Sequence, residues 1–429
     1  MWSIIISILY LSIMFWVVGH AFDLSISLSK TFIPLLYLIL IIDFLLRLYK
    51  RNIFFKNNKY IYLLSCLIIL STISAIINFF RTFTQYDIAI FSFVIPFTLL
   101  FSQLYLWMQD TSSKEFRKIL FSLDIFFIIN AIVTISFFIL INIFRIIDLD
   151  LVWNMSIQNT VLMKIAGQTW YRTPGIFEIG GTNGSFLLIF LCIALSKFYY
   201  SDKVNKSTFY LVSIIFVSFL IFFTLTRRTY LCMFLSVLLL TFIKSFKNFN
   251  ISKIFMFTLL FISMIFSIFL ININFEGIFS LDSLYDRFQF WFMSINNIIG
   301  DSILNLLIGL NVLQAALKHS IMSLYSYSVL DSGFIESIMY SGLVFTLLLI
   351  TYFIFLLRDN IKYFLEMSDD FEFNWIPLFN ILMIVNMIVL MLFSPFIFNI
   401  TESFVYLLVI NYSTKFIEDR KMLVLKSNE

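Results

Sequence analysis

Long apolar runs recur from one end of this chain to the other, and they limit its fold more than any other feature. Each run is about 20 residues long, which is enough for an α-helix to cross the hydrocarbon core of a bilayer. Only 13% of the residues are charged and 61% are hydrophobic, whereas soluble domains carry roughly a quarter charged residues. Because lipid offers the backbone no hydrogen-bond partners, such runs must be helical. The sequence therefore predicts an all-α polytopic membrane protein and excludes a soluble globular domain.

The spacing of the apolar runs predicts twelve transmembrane helices in one transmembrane domain over residues 1–429. Their centres are expected near residues 11, 38, 70, 98, 131, 192, 216, 236, 262, 346, 386 and 409. The first run, from Trp2 to about Gly19, lacks a basic N-terminal region and a small-residue cleavage site, so we expect it to be a retained helix. The two longest connections cover about residues 145–182 and 274–332.

Basic residues are distributed unevenly across the predicted membrane. With the N-terminus inside, 20 of the 29 Lys and Arg residues fall in cytoplasmic segments, in agreement with the positive-inside rule. This distribution predicts that both termini are cytoplasmic and that both long loops lie outside. Six of the nine basic residues left outside are arginines. Because a guanidinium binds phosphate bidentately and keeps its charge, these arginines indicate a phosphate-bearing ligand.

The first long loop ends in an unusually polar stretch, YRTPGIFEIGGTNG, residues 171–184. It holds four of the eleven glycines and places Arg172 ahead of the Gly180-Gly181 pair. We expect the sixth span to begin through Thr182 and Asn183, and the exposed N–H groups of such a helix start favour an anion. The alternative is that Arg172 only extends to lipid headgroups. The residues alone leave both interpretations open.

Three further arginines lie on the predicted outer side. Arg227 and Arg228 occupy LTRRTY, a connection so short that both guanidinium groups must lie at or just below the membrane surface. Charge is costly there unless it is paired or faces a wet cavity, which favours a functional role, and Arg228 is the stronger candidate. Arg287 opens DRFQFWFMSINNII. This segment is typical of an interfacial helix anchored by Trp291, and the same helix could present Arg287 to lipid phosphates.

Two residues are candidates for catalysis, Asp331 and His319. Asp331, in DSGFIESIMYSG, lies where the second loop is expected to re-enter the membrane, with Glu336 about one turn deeper. Its carboxylate could accept a proton from a sugar hydroxyl, although an N-cap aspartate explains the same position. His319, in LKHSIMS, could act as a general base because imidazole groups commonly titrate near neutral pH, although a lone loop histidine is more often solvated.

Nothing in the sequence predicts a metal ion or a cofactor. Cys66, Cys192 and Cys232 all lie inside apolar runs, where cysteine behaves as a small hydrophobic residue. Mid-span positions carry no Asp, Glu, Lys, Arg or His, which argues against ion-coupled transport. The polar exceptions are Asn130 and Asn386, which we expect to hydrogen-bond between helices.

Several of these segments together resemble the O-antigen polymerase and O-antigen ligase superfamily of bacterial surface-polysaccharide assembly. The resemblance covers about residues 165–345, in the family's order, through RTPGIFEIGGTNG, LTRRTYL, DRFQFWFMSI, LIGLN and DSGFIESIMYSGLVF. It implies a C-type, lipid-dependent membrane glycosyltransferase in which Arg172, Arg228 and Arg287 face the pyrophosphate of an undecaprenyl-linked donor. The ligase branch has a histidine-asparagine pair eleven residues before the glycine that matches Gly342. This chain has Asp331 and Ser332 there, which favours the polymerase branch.

The resemblance also implies a reaction and a set of partners. An acceptor glycan hydroxyl attacks the anomeric carbon of an undecaprenyl-diphosphate-linked donor with inversion, without metal, on the outer face of the bacterial cytoplasmic (inner) membrane. Expected partners are the lipid-linked donor and acceptor, membrane lipids, a chain-length regulator and a flippase, and no nucleic acid. The alternatives are an O-antigen ligase and a flippase or exporter of lipid-linked oligosaccharide. The latter would favour charges along a path through both leaflets, whereas this chain concentrates arginines outside.

Overall fold

The structure is a computed structural model that describes residues 42–43, 45–46, 49, 58–82, 97, 99–145, 163–165, 168–173, 175, 177, 180–201, 203–245, 291, 296, 303–309, 332–366, 373–394 and 400–427. The helices are α1 (Lys59–Thr82), α2 (Ser113–Phe137), α3 (Gly180–Tyr199), α4 (Val204–Phe223), α5 (Arg227–Ser245), α6 (Ile303–Ile308), α7 (Gly333–Glu366), α8 (Ile376–Phe393) and α9 (Ile400–Ser427). Residues 99–107 are also helical. The spans predicted near residues 11, 38 and 262 lie outside the described residues.

Five of the described helices are long and apolar enough to cross a membrane. They are Lys59–Ile77, Ser113–Phe144, Gly181–Tyr199, Val204–Phe223 and Gly333–Glu366, and a shorter apolar helix covers Ile376–Leu392. These helices coincide with predicted spans and identify the chain as a helical membrane protein. The count of twelve spans, the orientation of the termini and the identity of the membrane stay predictions.

The first long loop contains a small element that the sequence did not predict. Strand β1 (Met163–Ile165) pairs antiparallel with β2 (Gln168–Trp170), with Lys164 opposite Thr169. A two-stranded hairpin is marginal by itself. The remainder of the described structure is helical or irregular, so the all-α prediction of the fold class holds.

The chain divides into two compact units, each built from segments that are separated along the sequence. The first unit contains the described residues of Ser112–Ser280 and Phe364–Asn386. The second unit contains those of Leu40–Thr111, Leu281–Tyr363 and Met387–Glu429. The predicted single transmembrane domain over residues 1–429 stays a prediction.

Helix α3 is the centre of the first unit. It packs against α4 and α5, and 94% of its membrane-length segment is buried, compared with 28% for α4. Polar residues in the first turns of α3 therefore face protein and not lipid, and there they require hydrogen-bond partners. The buried polar side chains Thr182, Asn183 and Ser185 all belong to this part of α3.

The second unit shows that the span predicted near residue 346 is not one continuous helix. Helix α7 is interrupted at Gly342, which has φ 91° and ψ 167°. A Cβ at Gly342 would lie 2.1 Å from the carbonyl oxygen of Leu307, so the end of α6 crosses α7 backbone to backbone at this point. The Ser74 hydroxyl donates to the carbonyls of Ile308 at 2.6 Å and Tyr340 at 3.2 Å. One side chain of α1 thereby links both crossing segments.

A second polar cluster in this unit surrounds Asn411 of α9. The Asn411 side chain accepts from Trp107 Nε1 at 3.0 Å and donates to Gln103 Oε1 at 3.0 Å, and it is also bonded to the hydroxyl of Tyr352. Lys415, one turn further on, is buried and donates to the carbonyl of Trp107 at 2.8 Å. Lys415 therefore lies inside α9, where its ammonium group is satisfied by a backbone carbonyl.

Candidate functional site

Three of the six predicted site residues lie among the described residues, and all three belong to the first unit. Arg172 precedes the glycine-rich stretch, and Arg227 and Arg228 are the first two residues of α5. The other three, Arg287, His319 and Asp331, lie outside the described residues. The structure therefore describes the diphosphate-binding half of the predicted site and not its predicted catalytic half.

Arg228 lies directly against the first turn of α3. A Cβ built on Gly181 would be 2.5 Å from Nη2 of Arg228 and 3.1 Å from its central guanidinium carbon. Any side chain at position 181 would displace this guanidinium. The close approach of Arg228 therefore explains why residue 181 is glycine. Helix α3 itself begins at Gly180, two residues earlier than predicted. The Arg228 guanidinium thus lies next to the N-terminal N–H groups of α3, and both kinds of group favour an anion.

The turn between α4 and α5 is tight, as predicted, and threonines fix it. Leu225 has a positive φ of 49°. The hydroxyls of Thr224 and Thr226 are 2.9 Å apart, and the hydroxyl of Thr229 donates to the carbonyl of Thr226 at 2.8 Å. All three threonines are buried. This network orients the first turn of α5, from which Arg227 and Arg228 project with half-buried side chains.

Arg172 is held at the same end of the bundle as Arg228. Its neighbour Thr173 is fully buried and donates to the carbonyl of Phe223 twice, from the hydroxyl at 2.7 Å and from the backbone N–H at 3.3 Å. The Arg172 guanidinium interacts electrostatically with Tyr230, which lies two residues after Arg228 on α5. The backbone at Arg172 is therefore attached to the end of α4, and the tight turn that follows α4 leads directly to Arg228.

A buried amide network supports the glycine-rich stretch from beneath. Asn130 of α2 donates to Asn183 Oδ1 at 2.7 Å, which confirms its predicted role as an interhelical hydrogen bonder. The Asn183 amide in turn donates to the hydroxyl of Thr134 and to the carbonyl of Thr173, both at 3.1 Å. The side chains of these four residues are fully buried. The network connects α2, the Arg172 segment and the start of α3, so the backbone of the predicted anion site is held in place.

The second predicted asparagine pairs elsewhere in the first unit. Asn386 donates to Cys192 Sγ at 3.2 Å and accepts from the Ser236 hydroxyl at 3.1 Å. These bonds join α8 to α3 and α5, so this interhelical prediction is also confirmed. The two asparagines lie in different places: Asn130 supports the candidate site, whereas Asn386 belongs to a separate cluster with Cys192 and Ser236.

The sequence did not predict the hydrogen bonds that the side chains of Thr173, Asn183 and Asn142 make at this site. Asn142 lies at the end of the span that begins with α2 and bonds to the backbone of Tyr171. Its hydrogen bonds link positions 29 residues apart. The available signal was a polar residue in an apolar run, which predicts hydrogen bonding but does not specify the partner.

The segment that follows Asp331 is described although Asp331 is not. Ser332 is buried, its hydroxyl donates to the carbonyl of Met391 at 3.4 Å, and the N–H of Gly333 donates to the carbonyl of Ser394 at 2.7 Å. Glu336 lies in the first turn of α7 and is buried. The start of α7 is thus anchored within the second unit.

Neither a metal site nor a family assignment comes from the described part of the chain. Among its residues, no group of three His, Cys, Asp or Glu side chains is arranged to hold a metal ion. No protein-family model matches the chain, and no curated protein matches its sequence. The resemblance to the O-antigen polymerase and ligase superfamily therefore stays a prediction that rests on its motifs.

Proposed function

We propose that this chain is a membrane glycosyltransferase that polymerises undecaprenyl-diphosphate-linked oligosaccharide repeat units on the outer face of the cytoplasmic membrane. One observation carries the proposal. The Arg228 guanidinium lies against Gly181 in the first turn of α3, and the backbone beside Arg172 is attached to the end of α4 through Thr173. Two permanent cations and a helix N-terminus at one end of a helical membrane bundle are suited to a lipid diphosphate.

The proposed chemistry transfers a glycosyl group with inversion. The acceptor hydroxyl oxygen forms a bond to the anomeric carbon of the donor, and the bond from that carbon to the diphosphate oxygen breaks. The undecaprenyl diphosphate leaves with the bonding electron pair, and the hydroxyl proton passes to Asp331 or to His319. Arg172 and Arg228, with Arg227 and Arg287, would stabilise the negative charge that develops on the leaving group.

The packing of Arg228 favours this role over simple anchoring at headgroups. An arginine that only extends to the interface needs a flexible stem and open space. Arg228 instead occupies a space that exists only because residue 181 lacks a side chain. The buried Thr173 bonds likewise restrict the backbone beside Arg172. Restricted cations bind an anion with a smaller loss of side-chain entropy than mobile ones do.

The first test replaces Arg228 in the native host and follows the length of surface polysaccharide on a gel. Arg228→Ala should reduce polymerisation by about 100-fold or more, which is the effect of removing one group that stabilises developing charge. Single repeat units should still reach the surface. Arg228→Lys should recover only part of the activity, because lysine keeps the charge but not the bidentate geometry.

A matched control is Arg117→Ala. Arg117 is an exposed arginine of the first unit that lies over the Phe373 ring at 5.7 Å, away from the α3 start. The Arg117→Ala variant should leave the polysaccharide ladder unchanged. Complete loss of surface sugar in Arg228→Ala, without single repeat units, would point to a ligase or a transporter and overturn the polymerase proposal.

A further inference from the structure

The membrane-length segment that begins with α2 does not end as an α-helix. Its last seven residues, Phe138–Phe144, form a π-helix that stops at Arg145, whose φ is 51°. A π-helix uses i→i+5 hydrogen bonds and occurs mostly as short stretches, frequently at functional sites. One residue added to an α-helix rotates all later side chains by about 100°. The π-helical stretch therefore decides which direction Asn142 faces.

Asn142 pairs with both polar groups of one backbone residue. The N–H of Tyr171 donates to Asn142 Oδ1 at 2.7 Å, and Asn142 Nδ2 donates to the carbonyl of Tyr171 at 3.1 Å. The amide of Asn142 thus satisfies both backbone polar groups of Tyr171. The Asn142 side chain is buried and Tyr171 is half-buried, so both bonds are at least partly shielded from water.

Arg172 lies between two residues, Tyr171 and Thr173, whose backbones are fixed by hydrogen bonds. Tyr171 is bound by Asn142 on one side, and Thr173 is bound by the carbonyl of Phe223 on the other. The π-helical stretch also reinforces the second attachment, because Phe138 stacks on Phe223 with ring centroids 3.7 Å apart. Phe138 further stacks on Trp170, the residue before Tyr171, at 5.6 Å.

We propose that Asn142 is a positioning residue for Arg172 and that the π-helical end of α2 presents its amide to the Tyr171 backbone. This inference rests on the proposed role of Arg172 in binding the diphosphate. Asn142 holds the backbone at one side of Arg172, so the Arg172 segment keeps its position against the end of α4. Without this attachment, the segment between β2 and Thr173 keeps its covalent connections but loses its fixed path.

The experiment uses the full chain in lipid nanodiscs and compares three variants. Asn142→Leu removes both hydrogen bonds to Tyr171, and Asn142→Ser removes them without adding apolar volume. Asn386→Leu is the matched control, because Asn386 is also a buried asparagine of the first unit with two side-chain hydrogen bonds. If the effect comes from a general loss of packing, Asn142→Leu and Asn386→Leu should respond alike. If Asn142 positions Arg172, only the two Asn142 variants should respond.

The first measurement is amide hydrogen exchange in peptides that cover residues 168–173, and it does not depend on the proposed function. Both Asn142 variants should exchange at least tenfold faster there than the wild type, and Asn386→Leu should match the wild type. Equal exchange in the wild type and in both Asn142 variants would overturn the positioning role. If Asn142→Leu fails to fold, the result with Asn142→Ser decides.

The second measurement is the affinity for inorganic pyrophosphate by calorimetry. Both Asn142 variants should bind pyrophosphate at least tenfold more weakly than the wild type and the Asn386→Leu control. Wild-type affinity in the Asn142 variants would reduce Asn142 to a structural residue and overturn the inference. Absence of binding by the wild type would count against the proposed function, and the exchange result would then decide the positioning role by itself.

Discussion

At the scale of single residues, the first turn of α5 has an unusual charge arrangement. The N-terminus of a helix carries partial positive charge, and cations there are unfavourable by about 0.3–1 kcal/mol each at exposed positions. This helix nevertheless begins with Arg227 and Arg228. An anion in front of the turn would be stabilised by the helix and by both guanidinium groups together. The pair is thus unfavourable for the helix itself, and the proposed diphosphate site would use both residues.

Gly181→Ala is predicted to abolish function through Arg228 without weakening α3. The added methyl group would meet Nη2 of Arg228 at 2.5 Å, so the guanidinium must move. Alanine is a better helix former than glycine by about 1 kcal/mol, so the melting temperature should not fall. We expect the polysaccharide ladder to shorten to single repeat units, as in Arg228→Ala, with normal amounts of folded protein.

Ser196→Ala provides the control within the same helix. Its buried hydroxyl has no hydrogen-bond partner among the described residues, so removing it should be neutral or slightly stabilising. The ladder should be unchanged. Normal polymer length in Gly181→Ala would show that the position of Arg228 against α3 does not matter for activity.

At the scale of elements, the crossing of α6 and α7 depends on glycine at two positions. Gly309 and Gly342 have φ values of 92° and 91°. A Cβ at Gly309 would lie 2.7 Å from the carbonyl oxygen of Tyr340, and one at Gly342 would meet Leu307. The backbones approach so closely that the Ser74 hydroxyl reaches carbonyls of both segments. This hydroxyl supplies a donor where the interruption removes a helical one.

Gly342→Ala is predicted to destabilise the second unit by about 2 kcal/mol or more, because it combines a positive φ with a backbone clash. The measurement is thermal unfolding of the purified protein in detergent. Ser341→Ala, at the neighbouring buried position, should shift the transition by much less. A melting temperature for Gly342→Ala equal to that of the wild type would mean that α7 is not interrupted at this residue.

The sequence predicted which segments are helices better than how those helices end. Spans expected near residues 131, 192 and 216 correspond to α2, α3 and α4, because hydropathy and length report membrane helices directly. The break at Gly342 and the π-helix at Phe138–Phe144 were not predicted. Both depend on tertiary partners, namely α6 for the break and Tyr171 for the π-helix, and hydropathy does not report partners.

The sequence predicted the candidate site only in part, as it did the helices. Charge placed Arg172 and Arg228 among the outer residues, and the tight LTRRTY turn was correctly expected. The contact between Arg228 and Gly181 joins positions from two helices, so no local pattern could specify it. The supporting amides of Asn142 and Asn183 were missed for the same reason.

At the scale of the whole molecule, the two ends of the first unit hold separate groups of basic residues. The end of the π-helix, the start of α3, the end of α4 and the start of α5 meet around Arg172 and Arg228. The opposite end contains Arg117 over Phe373 and Lys197 over Trp375 at 4.9 Å. Neighbouring helices therefore alternate in direction, as the predicted topology requires.

This alternation leads to a labelling prediction for the orientation of the chain. Arg145 and Lys203 are exposed residues at opposite ends of the first unit, just after the π-helix and just before α4. In a chain whose three cysteines are replaced by serine, Arg145→Cys should react with a membrane-impermeant maleimide in intact spheroplasts. Lys203→Cys should react only after permeabilisation. The reverse pattern would place Arg172 and Arg228 in the cytoplasm, where a polymerase acting on the outer face could not use them.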